Sequence, residues 1–255
     1  MRLDKLAKNI LFYAVILGVW YGIARSHIWP PYLVPAPGDV YTALHDGFKD
    51  GSIWIGIRIS MQRVVLGYLA SVVLGFFLGL GISTSTFLED TLGRLLTSLQ
   101  SLPSICWLPL AILWFGLTDK AIYFVIIMGS LFSITMSMES SRAAIPRIIP
   151  MAGRNLGAKG LKLFWYVLLP ASLPHLISGL KQGWAFAWRA LISAEMIIIS
   201  LGLGQLLMTG RDLNDMSQVV AILLIILVLG WAIDALVFRT IERKVARRWG
   251  LSVPA

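Results

Sequence analysis

The sequence predicts an all-α, polytopic membrane protein, a single transmembrane domain over residues 1–255. Three observations predict it. Hydrophobic residues make up 57% of the chain against 14% charged, too apolar for a soluble domain of this length. Apolar runs of span length recur from end to end. The basic residues behind the net charge of +9 sit in short clusters between those runs, which fits membrane topology and argues against a nucleic-acid partner.

Six spans are expected, over about 10–24, 61–83, 102–117, 121–138, 174–199 and 219–238. The first is short and follows a basic start; a cleaved signal peptide looks similar, but the spans that follow favour an uncleaved one. After it, Pro30, Pro31, Pro35 and Pro37 disfavour helix, and Asp39 is placed to cap a short helix on the outer surface. The second span carries Gly67, Gly75, Gly79 and Gly81, which let another helix approach closely. The third contains Pro103 and Pro109. The fourth leads into a loop over 139–170, far longer than two antiparallel spans need. The fifth holds Lys181, Arg189 and Glu195; the sixth ends in IERKVARRW, a basic anchor with Trp249 at the interface.

Charge sets the orientation. With the N-terminus inside, the inner set is Arg2, Lys5, Lys8, Arg94, Arg142, Arg147, Arg154, Lys159, Lys162, Arg239, Arg243, Lys244, Arg247 and Arg248. The outer set is only Arg25, Lys49, Arg58, Lys120 and Arg211. Both termini and the 139–170 loop are therefore expected in the cytoplasm.

Within that loop, Asn155, Lys159 and Lys162 share one side of a helix, with Leu156, Gly160, Leu163 and Phe164 as an apolar stripe beside them. Periodicity alone reads this as a basic amphipathic helix lying on acidic membrane lipid. The spacing of Gly157, Val167, Leu169 and Pro170 is more particular. It resembles the cytoplasmic coupling loop, the "EAA" motif, of the membrane subunits of binding-protein-dependent ABC importers. Where that family has Glu-Ala-Ala, this chain has Met151, Ala152 and Gly153, so only the middle position matches.

Three further stretches are similar to the nitrate/sulfonate/taurine/bicarbonate branch of these permeases: LVPAPGDV (33–40), SLPSICWLPLAILWFGL (101–117) and SAEMIIISLGLGQLL (193–207). The likeness covers about residues 10–245, in the expected order. It implies a type I ABC importer-like fold in the bacterial inner membrane, acting with a second copy of the chain, two cytoplasmic ATPase subunits and an extracytoplasmic substrate-binding protein. The implied cargo is a small oxyanion or sulfonate. Residues implied in ATPase coupling are Arg154, Asn155, Leu156, Gly157, Ala158, Lys159, Gly160, Leu161, Lys162 and Leu163, with Pro170. Gly157 is expected to permit close backbone approach, and Pro170 and Pro174 to stop one helix and orient the next.

The chain has no GxxxxGK[ST] loop, HExxH pair or GxSxG elbow. No cofactor is expected in this chain, and ATP and Mg belong to the partner ATPase; the chain itself is not expected to be an enzyme. Candidates for the translocation path are Trp107, Trp184, Trp188, Arg189 and Glu195, since a charge in mid-bilayer is retained for function or for pairing. Arg63 is expected at the interface, Glu139 to pair with Arg142, and Cys106 to be buried by packing. The alternative is an ion-coupled secondary transporter or channel working without an ATPase. It calls for paired carboxylates and inverted symmetry, whereas the spans offer only Glu195 and Asp234.

Overall fold

The computed structural model describes residues 2–26, 28–30, 32–83 and 85–248, without the side chains of 2–7, 9, 142, 143 and 248. His27, Pro31 and Trp249 lie outside the described residues, as does the Arg142 side chain expected to pair with Glu139. Among the described residues the secondary structure is entirely helical. The helices are α1 (Arg2–Arg25), α2 (Pro37–Lys49), α3 (Ser52–Ile82), α4 (Thr86–Gln100), α5 (Ser104–Phe115), α6 (Asp119–Ala143), α7 (Ile148–Asn155), α8 (Gly160–Ile197), α9 (Leu203–Asp212) and α10 (Met216–Arg247).

Among the described residues α3, α6, α8 and α10 are long and apolar enough to cross a membrane, and α4 with α5 adds one more if the pair is a single broken span. That pair bends by 103°, so the span expected over 102–117 is instead the second arm of a sharp kink. Pro103 is the physical reason: it cannot donate a helical hydrogen bond, and it holds the residue before it out of the helical region. Pro109 lies in the first turn of an α-helical segment, where the missing N–H has no role to fill.

The chain divides into two compact units. The first comprises residues 1–60 and 199–228. Here α2 begins with Pro37 in its first turn, and the Asp39 carboxylate accepts from the Ala36 N–H at 3.2 Å, so Asp39 closes the cap from inside the helix rather than being the cap residue. Trp20 Nε1 donates to the Pro35 carbonyl at 3.0 Å, tying α1 to the proline-rich segment. Asp50 Oδ1 accepts from the Ser52 N–H at 2.8 Å, and this bond holds its carboxyl below the usual aspartate value. Buried Ser60 accepts from the Leu203 N–H at 2.8 Å and so receives one of the first donors of α9. The apolar side chains of α1 from Ile10 to Leu17 are largely exposed.

The second unit comprises residues 61–198 and 229–255, and its most extensive contact is between α6 and α8. Small residues let these helices meet. A methyl on Gly129 would stand 2.8 Å from Ala190, and one on Gly179 would collide with Ser137. Along the other side of α6, Gly67, Gly75 and Gly79 of α3 receive Ile126, Ile134 and Met138, at 2.7, 2.9 and 2.6 Å from where a methyl would be. Ile134 also fills the space above Gly183 of α8. Ser130 donates to Ser71 at 2.8 Å across the α3–α6 seam, the kind of polar contact that holds helices together in lipid.

Candidate functional site

Residues 148–163, which hold the positions implied in ATPase coupling, form a helical hairpin, and the single helix expected to carry Asn155, Lys159 and Lys162 is not present. The first arm, α7, stops at Asn155. Leu156 follows, and Gly157 takes φ +84°, a left-handed conformation. The Gly157 N–H bonds the Arg154 carbonyl and the Ala158 N–H bonds the Gly153 carbonyl, both at 3.0 Å. This pair is a Schellman closure with Gly157 in its left-handed position, so the glycine terminates a helix. The expectation that Gly157 admits close backbone approach is corrected, since a methyl there would have nothing within 4 Å. Lys159 is extended and Gly160, at φ +53°, opens the second arm.

Asn155, Lys159 and Lys162 therefore do not share a helical face. The close approach belongs to Gly153, where a methyl would stand 2.9 Å from Val167 and 3.0 Å from Leu163. Leu163 is buried against this crossing, Ala158 is half-buried, and Leu156 and Leu161 are 89% and 76% exposed at the tip.

The second arm runs from Gly160 to Ile197 without interruption, so Pro170 and Pro174 do not stop a helix. A π-helical turn over Phe164–Leu168 ends two residues before Pro170. Such a turn widens the helix where the proline ring would press on the carbonyl four residues earlier.

Further along α8 the charged residues separate into distinct groups. Glu195 is fully buried and accepts from Arg63 Nη1 at 2.8 Å, while Arg63 Nη2 donates to Asp119 at 2.7 Å. Arg63 is thus buried between two carboxylates rather than interfacial. Lys181 faces Asp234 at 3.1 Å and Glu242 at 3.6 Å, and Asp234 also meets Arg239 at 3.4 Å.

A cavity of about 450 Å³ adjoins the Lys181–Asp234 pair, bounded by Lys181, Trp184, Trp188, Arg189 and Asp234, with Gly230 as part of its wall. Arg189 is exposed there, its Nε on the Ala185 carbonyl at 3.2 Å and its guanidinium 5.0 Å from the centre of the Phe186 ring. The Trp184 ring stands edge-on to Tyr68 at 5.2 Å, and its buried Nε1 has no hydrogen-bond acceptor among the described residues.

Of the path candidates, Trp184, Trp188 and Arg189 come together. Glu195 belongs to the Arg63 pair, and half-buried Trp107 packs on Phe132 at 5.9 Å. Cys106 is exposed, contrary to expectation, because it lies in the short 3-10 turn that starts α5 and not on a packed face. Among the described residues no three His, Cys, Asp or Glu side chains cluster as metal ligands do. Sequence reasoning missed Arg63 with Asp119, and the meeting of Lys181 with Asp234 and Glu242. The available signal was an arginine inside an apolar run, which needs a counter-charge.

Comparison with known families matches residues 71–247 to the binding-protein-dependent transport system inner membrane component. The taurine transport system permease protein TauC of Escherichia coli is 26% identical over 91% of this chain and 86% of its own length. An aliphatic sulfonates transport permease protein, SsuC of E. coli, is 31% identical over 86% of this chain and 83% of its own. The nitrate import permease protein NrtB of Synechocystis is 27% identical over 74% and 69%. Among solved structures, a chain of the MetNI methionine ABC transporter in inward-facing conformations superposes with a TM-score of 0.60. It covers 76% of this chain and 96% of its own at 19% identity, a likeness of fold.

Proposed function

Because the chain belongs to the family of binding-protein-dependent transport system inner membrane components, we propose that it works as a dimer, forming the path by which a small sulfonate or oxyanion enters the cell. It is an ABC importer permease, and its relatives are permease subunits rather than enzymes. Two cytoplasmic ATPase subunits supply the energy, and an extracytoplasmic binding protein delivers the cargo. Both termini and the 148–163 hairpin face the cytoplasm, in keeping with the excess of Lys and Arg on that side.

The observation that carries the coupling assignment is the hairpin tip. Leu156 and Leu161 stand exposed beside Lys159 and Lys162, on a turn fixed by Gly157. An apolar tip presented in this way is suited to a groove on a partner. Gly153 locks the tip to the start of α8, so a push on the hairpin is delivered along α8 as a rigid-body movement. At the other end of the mechanism, Arg189 offers positive charge to an anion in the 450 Å³ cavity, with Trp184 and Trp188 in its wall.

The test is reconstitution in proteoliposomes with the cognate ATPase and binding protein, following labelled taurine, an alkanesulfonate and nitrate. Uptake is expected only with all components and ATP. Uptake by this chain without an ATPase would overturn the reading in favour of a channel or an ion-coupled carrier.

A further inference from the structure

We propose that an apolar groove at the base of the hairpin binds one anionic phospholipid, its phosphate on Arg154 and an acyl chain along the groove. The groove encloses about 620 Å³ and is walled by the last turns of α3, the end of α6 and the start of α8. Phe77, Leu80, Met138, Leu161, Phe164 and Trp165 supply most of its surface. Several of these are left uncovered by the chain: Phe77 is 66% exposed and Trp165 55%.

Polar chemistry is confined to one place. Among the described residues, Arg154 is the only charged one in the lining; it is exposed and makes no ion pair. The serines of the lining use their hydroxyl hydrogens within their own helices: Ser83 donates to the Leu80 carbonyl, Ser141 to Met138 and Ser172 to Leu169, at 2.8 to 2.9 Å. A small polar ligand would therefore find a single cation and little else to bind. An acyl chain with a negative head matches an apolar slot carrying one cation.

The π-helical turn adds a second, independent observation. Phe164–Leu168 has the widened spacing of a π-helical turn, which changes the direction of successive side chains. Consecutive Phe164 and Trp165 both reach the groove here, packed edge to face with centres 5.4 Å apart, although neighbouring positions in a regular helix diverge by about 100°. Tryptophan beside a basic side chain is the usual furniture of a lipid interface. A lipid seated here would touch Leu161 and Leu163 of the hairpin and Phe77 of α3 together, bracing the hairpin against a span. The proposal rests only on the chain being a membrane component, not on the coupling role of the hairpin.

The full-length protein, purified in detergent, is titrated with phosphatidylglycerol or phosphatidylethanolamine and read by native mass spectrometry. One retained phosphatidylglycerol per chain is expected, with Arg154→Gln weakening it about fivefold, the factor one basic side chain supplies near an anionic surface. Arg154→Lys should restore most of the retention. Lys159→Gln, on the same hairpin but outside the groove, should leave it unchanged, and millimolar inorganic phosphate should not displace the lipid. In the unaltered protein, photoactivatable phosphatidylglycerol should label peptides covering 76–83 and 154–169, a readout independent of how any variant folds. Equal retention of both lipids, equal loss in Arg154→Gln and Lys159→Gln, displacement by phosphate, or labelling elsewhere overturns the proposal. So does efficient cross-linking of Leu161→Cys to a second copy in the presence of lipid.

Discussion

Arg63 and Glu195, separated by 132 positions in the sequence, meet at 2.8 Å with Glu195 wholly buried and Arg63 nearly so. Removing one member of such a pair leaves the other as an uncompensated charge in an apolar interior. Arg63→Met is therefore expected to destabilise the protein by about 3–5 kcal/mol, whereas Arg63→Met with Glu195→Leu should recover most of that loss. Asp119, the second partner, is 57% exposed on its side chain, and Asp119→Asn should cost under about 1 kcal/mol. Thermal unfolding of the detergent-solubilised proteins measures all three.

At Gly157 the constraint is backbone conformation alone. Its φ of +84° puts any β-branched residue under strain, although there is space for a side chain. Gly157→Val should strain the turn by roughly 1–2 kcal/mol and uncouple ATP hydrolysis from uptake, while the spans still insert. Gly157→Asn, which tolerates the left-handed region, should retain coupled transport. Normal uptake by the valine variant would count against the coupling role.

Gly183 is constrained by space. A methyl there would stand 2.6 Å from Ile134 Cγ1, in a helix crossing with no room to yield. Gly183→Ala should destabilise by about 1–3 kcal/mol, and combined with Ile134→Ala, which removes Cγ1, it should cost less than the sum of the two single variants. The comparison of single and double variants by thermal unfolding is decisive because the two sites touch.

Arg189 makes no ion pair among the described residues, and its fixed contacts are to the Ala185 carbonyl and the Phe186 ring. Arg189→Leu should leave the yield of assembled complex unchanged and lower uptake of a sulfonate by about tenfold, equivalent to ~1.4 kcal/mol. A fall in yield instead would assign this arginine to folding.

The features legible in the sequence were those written in short range. Apolar runs located α3, α6, α8 and α10, and three of the four glycines expected to admit a helix, Gly67, Gly75 and Gly79, meet Ile126, Ile134 and Met138, whereas a methyl on Gly81 would have nothing within 4 Å. The break at Leu156–Lys159 was hidden because helical periodicity can be counted through a glycine as easily as through any residue, while φ at Gly157 and Gly160 reverses the chain. Pro170 misled in the opposite direction, since a π-helical turn before it carries the helix onward. The setting of Arg63 was illegible for another reason. Its partners lie 56 and 132 positions away, and no spacing rule spans such distances.

Ile134 has a glycine on either side, Gly75 from α3 and Gly183 from α8, and each bare backbone presses against the same side chain. It acts as a rivet through three helices. Sliding either outer helix along α6 would drive a branched side chain into a peptide plane, so the three can travel only as one plank. Whatever stroke reaches α8, the bending it demands must be absorbed beyond that plank.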